Sequence, residues 1–126
     1  MHIQFAELGV SDQDRAMQFY VDHFGCEVAS DTPIGEDGWR WIELKFPGAQ
    51  TTLHFLRRKD GALSDEPVLV LVDDDIHATV EALKAKGVHI ITEPQQAPWE
   101  PAKTVAEFRD SEGNRMVLST GAARER

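Results

Sequence analysis

The stretch that decides the fold is "DQDRAMQFYVDHFG" at residues 12–25, and "DIHATVEALKAKG" at 75–87 repeats its plan. Each stretch begins with an aspartate, which suits the N-terminus of a helix, and ends with a glycine, which suits the left-handed residue that follows one. Apolar residues recur in between at helical spacing. The two aspartates stand 63 residues apart and the two glycines 62 residues apart. This offset predicts one structural unit that occurs twice.

Strand-like segments surround both helices in the same order. Apolar and polar residues alternate, or apolar residues cluster, at 5–10, 26–30, 40–46 and 51–58 in the first unit and at 68–72, 88–92, 104–110 and 115–120 in the second. The run "VLVLV" at 68–72 predicts a fully buried strand. A unit that cannot cover its own sheet is expected to pair with its twin.

We therefore predict an α+β fold in which two βαβββ modules form a curved, eight-stranded mixed sheet with the helices on its convex face. The prediction is a single domain over 1–120, with module one at 1–58 and module two at 66–120. The residues 121–126 are expected to form a flexible tail.

Composition narrows the partners. The chain of 126 residues has 22 acidic and 13 basic residues, a net charge of −9, which disfavours nucleic acid and anionic membranes because both need clustered Lys and Arg. Its one cysteine, Cys26, cannot form an internal disulfide and fits a reducing compartment. The N-terminus has no signal-peptide pattern, and the longest aliphatic run is too short to span a bilayer. We expect a cytoplasmic protein without nucleic-acid or membrane partners.

Three segments carry a resemblance to a known family: "LGVSDQDRAMQFYVDHFGCEV" at 8–28, "VDDDIHATVEALKAKGVHI" at 72–90 and "FRDSEGNRMVL" at 108–118. The chain resembles the vicinal oxygen chelate superfamily, which includes glyoxalase I, extradiol dioxygenases, fosfomycin-resistance proteins and bleomycin-binding proteins. The resemblance implies the fold given above and a two-fold homodimer. It leaves the chemistry open, because one scaffold hosts many activities.

In the metal-dependent members of this superfamily, the positions of the metal ligands correspond to Phe5, His54, Val68 and Val117. Three of these side chains have no donor atom, whereas a zinc site needs three or four protein ligands. A register shift of two residues would bring in Glu7 and still give at most two ligands. We therefore expect no metal and no other cofactor, with a divalent metal at a non-standard site as the alternative.

The alternation of strand side chains predicts which residues face the concave side of the sheet. The loop at 93–103 is expected to border the mouth of this cavity, and its three prolines would stiffen it around Trp99. The candidate ligand-binding residues are Phe5, Glu7, Trp41, Glu43, His54, Trp99, Glu107 and Arg109.

The leading hypothesis is a metal-free small-molecule-binding protein that holds its ligand in the concave cavity. One alternative is an enzyme: a glyoxalase-like, metal-dependent lyase or dioxygenase with a non-standard ligand set, or a metal-free isomerase that uses carboxylates with His54 for acid–base chemistry. Another is an interaction module with no active cavity. The sequence has no visible pair of nucleophile and base, and it leaves these alternatives open.

Overall fold

The computed structural model describes residues 1–58 and 63–121. The chain divides into two compact units, which we call module one (Met1–Ala62) and module two (Leu63–Arg126). The predicted tail lies, after Gly121, outside the described residues.

The elements of module one are β1 (Phe5–Val10), α1 (Gln13–Phe24), β2 (Glu27–Pro33), β3 (Arg40–Lys45) and β4 (Thr52–Arg57). Those of module two are β5 (Leu69–Val72), α2 (Ile76–Ala85), β6 (Ile90–Gln96), β7 (Thr104–Arg109) and β8 (Arg115–Ser119). Each module is thus a strand, a helix and three strands. The predicted α+β fold of two βαβββ modules is confirmed.

The two four-stranded sheets have the same topology. Their strand orders are β1-β4-β3-β2 and β5-β8-β7-β6. In each sheet the first strand runs parallel to the last, and the other neighbours are antiparallel. Positions in one module can therefore be matched to positions in the other.

The predicted helix ends are confirmed. The side chain of Asp12 accepts a hydrogen bond from the backbone N–H of Arg15 at 3.0 Å, and Gly25 follows α1 with a φ of 69°. Asp75 caps α2 in the same way, and Gly87 lies just beyond its end with a φ of 81°. Within the described residues, neither helix is long and apolar enough to cross a membrane.

The core lies between each sheet and its helix. Every second strand residue points to this side, so the opposite face of each sheet carries the remaining side chains. The largest fully buried side chains are Leu8, Val10, Tyr20, Ile42, Leu44 and Phe55 in module one and Ile76, Val80, Leu83, Phe108, Met116 and Leu118 in module two.

The prediction of a fully buried strand at 68–72 is wrong. The side chains of Val70 and Val72 are 59% and 71% exposed. β5 lies at the edge of its sheet and pairs only with β8 within it. Its burial alternates along the strand, because only one face packs on the core.

The prediction for β6 is also inaccurate: the strand was expected at 88–92 and runs from Ile90 to Gln96. It continues through Pro94, which has no N–H to donate to a ladder. An edge strand tolerates this, because one side of its backbone has no partner strand. The ladder with β7 shifts register between Thr92 and Gln95, and this irregularity surrounds the proline.

Candidate functional site

A row of polar side chains crosses the sheet of module one. Glu7 on β1 pairs with His54 on β4, which pairs with Glu43 on β3, and paired residues share a face of the sheet. The Nδ1 atom of His54 lies 3.0 Å from Oε2 of Glu7. Glu43 accepts hydrogen bonds from the Thr52 hydroxyl at 2.6 Å and the Trp41 indole at 3.0 Å. These bonds, with that from Thr52 the strongest, hold the pKa of Glu43 below its usual range.

Aromatic rings enclose His54. The ring centroid of Trp41 lies 3.9 Å from that of the imidazole at an interplanar angle of 32°, and the centroid of Phe5 lies 5.1 Å away. The side chain of His54 is 7% exposed. Module one therefore brings five of the predicted site residues together, namely Phe5, Glu7, Trp41, Glu43 and His54.

The residues at the positions that the resemblance assigns to metal ligands do not fit a metal ion. Phe5 packs on the His54 ring, and neither it nor Val68 nor Val117 has a donor atom. Glu7 and His54 supply two donors, fewer than a zinc site needs. Across residues 1–58 and 63–121, no group of three or more His, Cys, Asp or Glu side chains could hold a metal ion. The chemistry of this donor set supports no step through a metal.

Module two contains a cavity of about 220 Å³. It exceeds the roughly 150 Å³ of an apolar cavity that binds benzene, and it is below the roughly 300–1,000 Å³ that enclose a drug-sized ligand. It can therefore hold a small planar compound or one part of a larger one. The cavity is lined by Pro67, Thr92, Gln95, Pro98, Trp99, Val105, Glu107, Arg115 and Val117.

The cavity lies on a row that matches the polar row of module one. Thr92, Glu107 and Val117 pair across β6, β7 and β8. Given the shared topology, Glu107 takes the position of Glu43, and Val117 that of His54. The same face therefore carries a histidine–carboxylate cluster in one module and a more apolar cavity in the other.

An ion pair forms the polar part of the lining. Arg115 donates from Nε to Oε2 of Glu107 at 2.7 Å and from Nη2 to Oε1 at 3.0 Å. The Thr92 hydroxyl donates to Oε1 at 2.7 Å, and Arg115 also donates to the carbonyl of Asp65 at 2.9 Å. Arg115, and to a smaller extent Thr92, hold the pKa of Glu107 below its usual range, while Glu107 raises the pKa of Arg115.

Trp99 lies on the connection between β6 and β7. Two backbone hydrogen bonds close this loop, from the N–H of Ala97 to the carbonyl of Lys103 and from the N–H of Lys103 to the carbonyl of Glu100, each at 2.9 Å. The indole lines the cavity and is 65% exposed. A large aromatic side chain is thus held at the rim by an ordered loop.

Arg109, the remaining predicted site residue, has other contacts. Its Nη1 atom donates to the carbonyl of Ser64 and, at 3.0 Å, to the carbonyl of Gly113. These bonds connect the end of β7 to the turn before β8 and to the segment before β5. Arg109 is not among the residues that line the cavity.

The sequence analysis missed Arg115, Thr92 and Gln95. Arg115 stands two residues before Val117 on the same strand, so the alternation that assigned Val117 to the concave face also assigns Arg115 to it. Thr92 and Gln95 lie on β6, whose length was underestimated, and no face was assigned to that strand.

Comparisons with known proteins agree with the fold. Residues 2–118 match the family model of the Glyoxalase/Bleomycin resistance protein/Dioxygenase superfamily. The chain is 32% identical over 111 residues to the uncharacterized protein YetH of Bacillus subtilis (strain 168), which covers 86% of this chain and 89% of that relative.

Two solved structures are similar over nearly their whole length. TnmS3, described as an antibiotic binding protein from Streptomyces sp. CB03234, matches with a TM-score of 0.79 and 30% identity over 97% of each chain. A superfamily member from Sphaerobacter thermophilus DSM 20745 matches with a TM-score of 0.82 and 27% identity over 96% of this chain and 98% of that one. The duplicated βαβββ unit and the match over residues 2–118 show that the chain belongs to the Glyoxalase/Bleomycin resistance protein/Dioxygenase superfamily.

Proposed function

We propose that this protein binds a small molecule without a metal, and that the ligand lies in the cavity of module two beside Trp99. The observation that carries the proposal is the cavity of about 220 Å³, which combines apolar walls with a few polar groups. Small-molecule sites have this composition. The 30% identity with TnmS3, described as an antibiotic binding protein, supports the same class of function.

The indole of Trp99 provides a second argument. A large aromatic side chain that is 65% exposed beside a cavity gains contact area when a ligand stacks on it. The hydrogen bonds that close the loop reduce the entropy lost on binding, because the loop is already ordered. Val105 and Val117 supply apolar surface at the base of the same cavity.

The test is a fluorescence titration of EDTA-treated protein with a panel of planar aromatic compounds. We expect at least one compound to change the tryptophan emission, and Trp99→Ala to weaken its binding at least 10-fold. Trp39→Phe is the matched control, because Trp39 lies under Arg57 in module one, 4.6 Å from ring centroid to guanidinium carbon. The proposal fails if no compound in the panel binds or if Trp99→Ala binds as tightly as the wild type.

The pair of His54 and Glu7 favours a second candidate, a metal-free acid–base isomerase. A carboxylate within 3.0 Å of Nδ1 can orient an imidazole for proton transfer at Nε2. The enclosure of the ring by Phe5 and Trp41 restricts access to it, so binding remains the first proposal. Solvent deuterium incorporated into a carbon position of a bound compound, and lost in His54→Gln, would establish the isomerase instead.

We also propose a cytoplasmic homodimer without nucleic-acid or membrane partners. The exposed side chains of Val70 and Val72 support a dimer, because contiguous exposed apolar residues mark interaction surfaces. The single buried thiol of Cys26 is compatible with a reducing compartment. Sedimentation equilibrium should give twice the chain mass of 14.1 kDa. A species of single-chain mass at micromolar concentration would contradict the dimer.

A further inference from the structure

The cavity of module two contains one negative and one positive side chain, and they neutralise each other. Both oxygens of Glu107 accept from Arg115, at 2.7 Å and 3.0 Å, in a two-pronged pair. The side chain of Glu107 is only 14% exposed. The other residues of the lining are uncharged: Pro67, Thr92, Gln95, Pro98, Trp99, Val105 and Val117.

This pairing determines which ligand charges the cavity tolerates. A cationic ligand would have to compete with a bound guanidinium for Glu107, and an anionic ligand would have to compete with a bound carboxylate for Arg115. A charge that enters a partly buried site without a counter-charge loses hydration that nothing replaces. The acidic net charge of −9 suggests a preference for cations, but the charges inside the cavity are already matched.

The polar groups of the cavity suit an uncharged ligand that carries oxygen. A guanidinium has five N–H donors, and those of Arg115 make three bonds to described residues: two to Glu107 and one to the Asp65 carbonyl. Two donors therefore remain for a neutral acceptor. The amide of Gln95, another lining residue, can donate or accept.

Resting on the proposed binding function, we infer that the module-two cavity selects an uncharged, planar aromatic compound with a carbonyl or hydroxyl oxygen, and that the Glu107–Arg115 pair sets this selectivity. The pair thus acts as a specificity determinant as well as a structural contact. Removing either member leaves the other charge without its partner, and the preferred ligand charge should change accordingly.

The experiment uses three probes with one ring system: 2-naphthamide, which is neutral, 2-naphthylmethylammonium, a cation, and 2-naphthoate, an anion. Calorimetric titration of the wild type should show 2-naphthamide binding at least 10-fold more tightly than either charged probe. Glu107→Gln should strengthen the binding of 2-naphthoate at least 10-fold, and Arg115→Gln should do the same for 2-naphthylmethylammonium.

The matched controls change net charge equally but outside the cavity. Glu93 and Lys84 form an ion pair on the surface of the same module, so Glu93→Gln and Lys84→Gln should keep the wild-type order of probes. The exchanged pair, Glu107→Arg with Arg115→Glu, should restore the preference for the neutral probe. Because the wild-type order is itself a test, the inference remains falsifiable if a single variant fails to fold.

The outcomes separate the inference from the proposed function. Binding of all three probes with equal affinity, or tightest binding of a charged probe by the wild type, overturns the inference and leaves the binding function intact. A neutral preference that persists unchanged in folded Glu107→Gln and Arg115→Gln overturns the role of the pair. If none of the three probes binds, the inference and the proposed site both fail.

Discussion

Glu43 and Glu107 occupy matching positions on β3 and β7, and the pKa of each carboxyl is lowered. The causes differ. Glu43 is stabilised mainly by neutral donors, the hydroxyl of Thr52 and the indole of Trp41, so its negative charge is not cancelled. Glu107 is stabilised mainly by the guanidinium of Arg115. Identical residues in a duplicated unit thus acquire different electrostatic roles from one neighbouring side chain.

The Glu107 carboxylate should make stability depend on pH. Its folded pKa is below the ordinary value of 4.5, so its contribution is complete above that value and is lost as the pH falls through the folded pKa. We expect Glu107→Gln to reduce the free energy of unfolding by about 1.5–3 kcal/mol at pH 7. Urea unfolding between pH 7 and pH 3 should show this difference shrinking below pH 4.5. A difference that stays constant over the range would contradict the assignment.

The ring stack around His54 should contribute to stability through packing. His54→Ala removes a buried ring from between Trp41 and Phe5, and we expect a loss of about 2–3 kcal/mol in the free energy of unfolding. His54→Phe is the matched variant, because it keeps a ring in the stack while it removes the hydrogen bond to Glu7. It should cost less than His54→Ala in denaturant unfolding. Equal losses would show that the hydrogen bond, and not the stack, stabilises the site.

At the scale of elements, local chemistry made several boundaries predictable. β1 runs from Phe5 to Val10, as predicted, because its alternation is complete and a helix cap follows. The ends of α1 follow from the carboxylate of Asp12 and the left-handed Gly25. These signals depend on residues close in the sequence, so no knowledge of the remaining chain is needed.

The boundaries that failed depend on the position of a strand in its sheet. The sequence cannot show that β5 and β6 are edge strands of a four-stranded sheet. An edge position explains both why Val70 is exposed and why Pro94 is tolerated within β6. The pairing of Glu107 with Arg115 was missed for a related reason, because it depends on the contact between β7 and β8.

The two helix caps should contribute similar amounts to stability. Asp12 and Asp75 each accept a hydrogen bond from a backbone N–H of the first turn, at 3.0 Å and 3.1 Å. Asp12→Ala and Asp75→Ala should each lower the free energy of unfolding by about 1 kcal/mol. Asp74→Ala is the control, since Asp74 is exposed and precedes the cap. Chemical denaturation in which Asp74→Ala costs as much as Asp75→Ala would argue against the capping role.

At the scale of the whole molecule, duplication preserved the backbone and allowed the two faces to diverge. The repeat was visible in the sequence, because helix caps and turn glycines recur at a fixed offset. The fold could therefore be predicted together with the family. The binding cavity could not, because it depends on which side chains of module two pair with each other and which remain available to a ligand. Membership of the superfamily does not choose between binding and catalysis.

The most direct test of the account is a ¹⁵N NMR titration of EDTA-treated protein with 2-naphthamide. We expect chemical-shift changes at the indole N–H of Trp99, the side-chain amide of Gln95 and the Nε–H of Arg115. The indole N–H of Trp41, which donates to Glu43 in module one, should not shift. Changes confined to Trp41 and the residues around His54, or binding that requires an added divalent cation, would contradict a metal-free site in module two.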